Sequence, residues 1–204
     1  PTGFAIRVRD ERPPEHHFNA INGERGLTSD QVGLILPTSL CSGQIAQALA
    51  DRLNHVNKTS QWCVSRFAAL VHTEGCGVTG AEAQAVYTRS MLNYLAHPLV
   101  HSAVLLEHGC EKTHNDYMRN CLRSHGLNLD NYGWASVQSD GGIGKVCSKV
   151  EAWFRSALEG RSLPGTEAAT WSDLRVGIMA SGNLSKSVAL AFAQLTRWLI
   201  SGGA

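Results

Sequence analysis

The chain has 204 residues, 43% of them hydrophobic and 17% charged, with a formal net charge of +1. That composition excludes an intrinsically disordered chain and suffices for one sizeable domain with a continuous core. No basic run supports a nucleic-acid surface, no apolar run approaches the roughly 20 residues that span a bilayer, and no charged-then-apolar leader is present, so the expectation is a cytoplasmic protein with neither nucleic-acid nor membrane partners.

Residues 1–30 are polar, with Pro13-Pro14, His16-His17 and Asn22-Gly23, and read as an irregular N-terminal arm. From residue 31 to residue 204 a regular alternation predicts a single α/β domain. Short apolar runs at Gln31–Leu36, Ser65–Val71, His101–Leu106, Gly133–Val137 and Leu174–Met179 predict strands. Helical spacing at Ile45, Leu49, Leu53 and Val56, at Val86, Leu92 and Leu95, at Val146, Val150, Trp153 and Phe154, and at Val188, Phe192, Leu195 and Leu199 predicts helices. Thr113–Ser124 makes a more polar helix, and Gly160–Ser172, with Pro164-Gly165, reads as a surface loop. Strand and helix in alternation imply right-handed βαβ units. The fold expected is a three-layer α/β sandwich with a mostly parallel five-stranded sheet, flavodoxin-like or Rossmann-like. A start at Pro1 and an end in Ser-Gly-Gly-Ala directly behind a helix lead us to expect a domain of a longer chain, with further domains of that chain as partners and a homodimer left open.

In open parallel sheets, ligands bind outside the carboxyl ends of the strands, where helix N-termini offer unpaired N–H groups. Three of the six cysteines, Cys41, Cys76 and Cys110, fall there, each in the turn behind a different strand. A thiol at a helix N-terminus has a stabilised thiolate and is a better nucleophile or metal ligand. The competing reading is three small buried hydrophobes. His72 and His108 precede Cys76 and Cys110 closely and suit a ligand, a general base or a partner for a buried turn. Lys112 suits a substrate carboxylate or an enolate, although with His114 and Asp116 it also reads as the solvated first turn of a helix. Ser39, Thr73 and the Asp140-Gly141-Gly142 turn are candidate substrate contacts, the glycines letting backbone N–H groups approach an anion.

HTEGCG at His72–Gly77, the run from Leu92 ending in Ala-His-Pro, HGCEK at His108–Lys112 and LPTSLCSGQIA at Leu36–Ala46 together resemble the altronate dehydratase and galactarate dehydratase family over roughly Gln31 to Phe154. The resemblance implies a metal-dependent hydro-lyase that converts a sugar acid, a small hydroxy acid, to a 2-keto-3-deoxy acid. It points to Cys41, His72, Cys76, Cys110 and Glu111, with Cys41, Cys76, Cys110 and Glu111 as candidate metal ligands. His72 is then the candidate base, and His108 or Lys112 the group that assists departure of the hydroxyl or holds the carboxylate. Three thiolates suit a [4Fe-4S] cluster with one open iron, and a mixed Cys/His/Glu set suits a single Fe2+, with another divalent metal also open. The family's motif is normally preceded by Gly-Leu where this chain has Glu107-His108, and a difference in substrate from the relatives is expected to trace to that place. Two rivals stand beside this reading: thiol chemistry on Cys76 or Cys110, and a non-catalytic ligand-binding or scaffold domain.

Overall fold

The computed structural model describes residues 14–60, 62–74 and 80–204. They fall into two compact units, Ile21–Gly165 and, separately, Thr166–Ala204 with the residues up to Ala20.

In the larger unit the second half of β1 (Phe18–Gly23) pairs antiparallel with β2 (Gly26–Thr28), matching Gly23 to Gly26 across the turn. Residues 18–28 therefore form a hairpin inside the segment read as an irregular arm. Arg25, in its turn, donates to the carbonyls of Leu95 at 2.6 Å and Val100 at 3.0 Å.

The sequence Val-Gly-Leu-Ile-Leu-Pro of β3 (Val32–Pro37) has no polar side chain to turn toward water, and all six residues are buried. Such a strand belongs in the middle of a sheet covered on both faces. After β3 come α1 (Leu40–Ser60), β4 (Arg66–Ala69), α2 (Ala81–Leu95), β5 (Val100–Glu107), α3 (Asn115–Ser124), β6 (Tyr132–Ser136) and α4 (Ile143–Leu158). The strands pair in the order β4-β3-β5-β6, every pair parallel. First beside second and third is the flavodoxin-like arrangement.

Alternation along β3 sends Ile35 to one face and Leu34 and Leu36 to the other. Ile35 packs with Leu49 and Leu53 of α1 and with Val146, Val150 and Phe154 of α4. Leu34 and Leu36 pack with Met91, Leu92 and Leu95 of α2 and with Met118 and Leu122 of α3. Helices thus cover both faces of the sheet.

The sheet has four parallel strands, not five. Leu174–Met179 alternates like a strand, but it lies in the smaller unit, joins no ladder, and leaves Val176 50% and Met179 95% exposed. Side-chain alternation cannot make a strand without a neighbour for the backbone hydrogen bonds. The smaller unit holds β7 (Thr166–Ala169), inside the stretch read as a loop, and α5 (Lys186–Gly202). Ser185 caps the start of α5, and left-handed Gly203 ends it. Among the described residues no helix is long and apolar enough to cross a membrane.

Candidate active site

The turn between β3 and α1, Pro37 to Cys41, is tied down on both sides. From the side of β4, His72 Nε2–H donates to the Pro37 carbonyl at 2.9 Å, and the Leu40 N–H donates to the Glu74 carbonyl at 2.6 Å. This approach requires Gly43 in the first turn of α1, where a Cβ would lie 2.8 Å from Val71 Cγ1. From the side of β5 comes Glu111, 2% exposed. One of its oxygens accepts Thr38 Oγ1 at 2.7 Å, Ser39 Oγ at 3.1 Å and the His108 N–H at 2.9 Å; the other accepts the Gly109 N–H at 2.7 Å. Burial pushes this carboxyl up, but the Thr38 hydroxyl and the backbone N–H groups outweigh it and hold it down at about 2.

Thr38 is the hub of this clamp. Its carbonyl accepts Tyr87 Oη–H at 2.8 Å and Thr113 Oγ1–H at 3.3 Å. Burial raises the Tyr87 phenol to about 12, against a smaller downward pull from Thr113, so it stays a donor. The Tyr87 ring meets the His72 ring edge-on at 5.8 Å. Because the Pro37 carbonyl can only accept, the proton of neutral His72 sits on Nε2 and leaves Nδ1 as a lone pair. That Nδ1 is buried and has no hydrogen-bond partner.

The turn behind β5 carries His108 and Cys110. Cys110 is exposed, and its Sγ lies 3.3 Å from His108 Nδ1, a thiol–imidazole pair. Gly109 between them has φ +116°, and a Cβ there would press on Gln138 at 3.0 Å, so glycine sets the path of the turn. Cys41 is exposed on the first turn of α1. Cys76 lies outside the described residues.

The expected substrate contacts fare unequally. Thr73 and Lys112 are exposed. Ser39 is wholly buried and its hydroxyl is engaged by Glu111. The N–H groups of Gly141 and Gly142 donate to the carbonyls of Gln138 at 3.4 Å and Val137 at 2.8 Å, so they close their own turn instead of facing an anion. Asp140 accepts the Ser136 N–H and both its oxygens take Lys149 Nζ at 2.8 Å. Its carboxyl is held low because these donors outweigh the upward push of burial. His114 caps α3, with its Nδ1 accepting the Tyr117 N–H at 3.3 Å.

The donor atoms decide how well iron fits. Glu111 fits poorly as a ligand, because its oxygens already hold four donors. The sulfurs of Cys41 and Cys110 and the unpartnered His72 nitrogen are of the soft and borderline type that iron accepts. Among the described residues no three His, Cys, Asp or Glu side chains gather as a metal set.

Thr38, Tyr87 and Thr113 were not legible as site residues. Nothing in their local pattern announces them, because their partners lie far away in the chain. Thr38 had one signal, its place beside Ser39 at a strand end.

No curated protein and no solved structure matches the chain. A family model described as the second domain of D-galactarate dehydratase/altronate hydrolase matches residues 31–161. That span runs from the start of β3 to just past α4, and so contains the four-stranded sheet and all three strand-end turns. The chain belongs to the family of D-galactarate dehydratase/altronate hydrolase second domains.

Proposed function

We propose that this protein is a hydro-lyase that removes water from a sugar acid of the galactarate or altronate type and releases a 2-keto-3-deoxy acid. The observation that carries the reading is the clamped β3 turn, bonded by His72 and Glu74 on one side and Glu111 on the other. It brings the turns of three neighbouring strands together at the carboxyl ends of the strands, where the strand order reverses, in a chain of this family.

The reaction breaks a C–H bond next to a carboxylate and a C–O bond on the adjacent carbon. Cys41, Cys76 and Cys110 would hold iron, which when bound supplies Lewis acidity to the substrate's oxygens. His72 is the base: Nε2 is anchored on Pro37, so Nδ1 is the atom that takes the proton. The C–H electron pair forms the C=C bond, the hydroxyl departs with a proton from His108 and leaves as water, and the enol tautomerises to the keto acid. Lys112 meets the substrate carboxylate. Glu111 acts through others, by fixing the backbone of His108 and Gly109 against Thr38 and Ser39.

The test uses full-length protein prepared without oxygen and assayed for iron, sulfide and 2-oxo acid formed from galactarate and altronate. His72→Gln is expected to abolish turnover while leaving iron content unchanged. Full turnover by a metal-free preparation or by the variant overturns the assignment. Binding of a sugar acid without product favours a ligand-binding domain.

A further inference from the structure

A cleft of about 380 Å3 opens at the carboxyl ends of β5 and β6. Glu107, Asn115, Arg119, Trp134, Ser139 and Asp140 line it, and so does Gly109, which joins it to the turn that carries His108 and Cys110.

Asn115 is 5% exposed. Its amide orientation is not arbitrary: one amide atom lies 2.9 Å from the Ala135 carbonyl, which can only accept, so that atom is the nitrogen. The remaining atom, Oδ1, is buried without a hydrogen-bond partner. Unpaired buried acceptors are uncommon and costly, and this one belongs to a residue on a cleft wall. Beside it, Glu107 uses Oε2 to accept the Asn115 N–H at the start of α3, which leaves Oε1 as a second acceptor.

The cations of the cleft are already matched. Lys149 is held by both Asp140 oxygens, and the Arg119 guanidinium donates to Asp116 at 2.7 Å and lies 4.5 Å above the Trp134 ring. The unmet groups of the cleft, Asn115 Oδ1 and Glu107 Oε1, are acceptors, and an anion cannot satisfy them. A neutral chain of hydroxyl groups can, and the volume is at the small end for ligand sites.

We propose that this cleft holds the hydroxyl-bearing carbons of the substrate, which donate to Asn115 Oδ1 and Glu107 Oε1, while the reacting carboxylate end lies toward the His108–Cys110 turn. The placement of the carboxylate rests on the hydro-lyase reading above; the polyol site itself rests on the cleft. Glu107 and Asn115 are thereby specificity-determining residues for the hydroxyl pattern.

Two probes separate the two claims in full-length protein: galactarate, and galactitol, which keeps the four inner hydroxyl-bearing carbons and has a CH2OH group in place of each of the two carboxylates. Glu107→Gln keeps one oxygen for the Asn115 N–H and turns the other acceptor into a donor. By ligand-observed NMR, wild type is expected to bind both probes, and the variant to bind each at least tenfold more weakly with an unchanged thermal unfolding midpoint. Asn115→Ser serves as the second variant and is expected to lose galactitol likewise. Absence of galactitol binding by wild type, or equal binding by wild type and Glu107→Gln, overturns the proposal. If wild type binds galactitol in a Glu107-dependent way yet never dehydrates galactarate, the cleft assignment stands and the hydro-lyase reading falls. If it dehydrates galactarate and Glu107→Gln changes neither KM nor galactitol binding, the reverse holds.

Discussion

Glu111 accepts the Thr38 hydroxyl at 2.7 Å across 73 residues of sequence, and this contact joins the turns behind the two central strands of the sheet. Glu111→Ala leaves the buried Ser39 hydroxyl and the part-buried N–H groups of His108 and Gly109 without their acceptor, and leaves the Thr38 hydroxyl only the Leu106 carbonyl at 3.4 Å. At about 1–3 kcal/mol for each buried group left unsatisfied, with partial relaxation, the variant is expected to lose roughly 3 kcal/mol of stability or more. Urea unfolding measures it; a loss below about 1 kcal/mol contradicts the clamp.

The same carboxyl dictates an acid limb of stability. Its folded value of about 2 lies below the ordinary 4.5, so between these values the unfolded chain binds more protons than the folded one. Stability is then complete above the unfolded value and is lost as pH falls through the folded value, by about 3 kcal/mol in total. Asp140 is shifted the same way and adds to the slope. Thr38→Val removes a main donor and is expected to flatten the dependence between pH 4.5 and 2, read from unfolding at a series of pH values.

Gly43→Ala separates helix propensity from packing. In an unobstructed helix the change gains up to about 1 kcal/mol. Here the new Cβ lies 2.8 Å from Val71 Cγ1, on a β-branched side chain that rotates poorly, so we expect a net loss of about 1 kcal/mol. The double variant Gly43→Ala/Val71→Ala is expected to recover the loss. Destabilisation that persists in the double variant contradicts the close approach of this loop to α1.

The thiols give a chemical prediction. Single replacements of Cys41, Cys76 and Cys110 by Ser are each expected to cut the iron content of anaerobically purified protein at least severalfold, whereas Cys63→Ser is not. Cys63 is 2% exposed, packs in the core, and its thiol is raised by burial, so it makes a poor ligand. Equal iron in all four variants contradicts a thiolate-held centre.

Much of this architecture was readable from pattern because the parallel strands are buried on both faces. Gln31–Leu36 and His101–Leu106 are near-continuous apolar runs, and β3 and β5 formed there within a residue or so. The hairpin at residues 18–28 escaped because Asn22-Gly23 sits among polar residues and signals a loop as readily as a strand turn. Leu174–Met179 misled in the opposite direction, since alternation says nothing about whether a neighbouring strand exists. At the site, the location behind the strands was legible, because parallel sheets place chemistry there. The role of Glu111 was not: the family resemblance suggested a ligand, and only the fold brings Thr38 and Ser39 against it.

The most direct test of the central claim is the dehydration assay itself, with iron-loaded full-length protein and galactarate or altronate under anaerobic conditions. The expected result is one equivalent of 2-keto-3-deoxy acid per substrate consumed, with formation lost in both His72→Gln and Cys110→Ser. No keto acid from iron-loaded wild type, or undiminished formation by either variant, contradicts it.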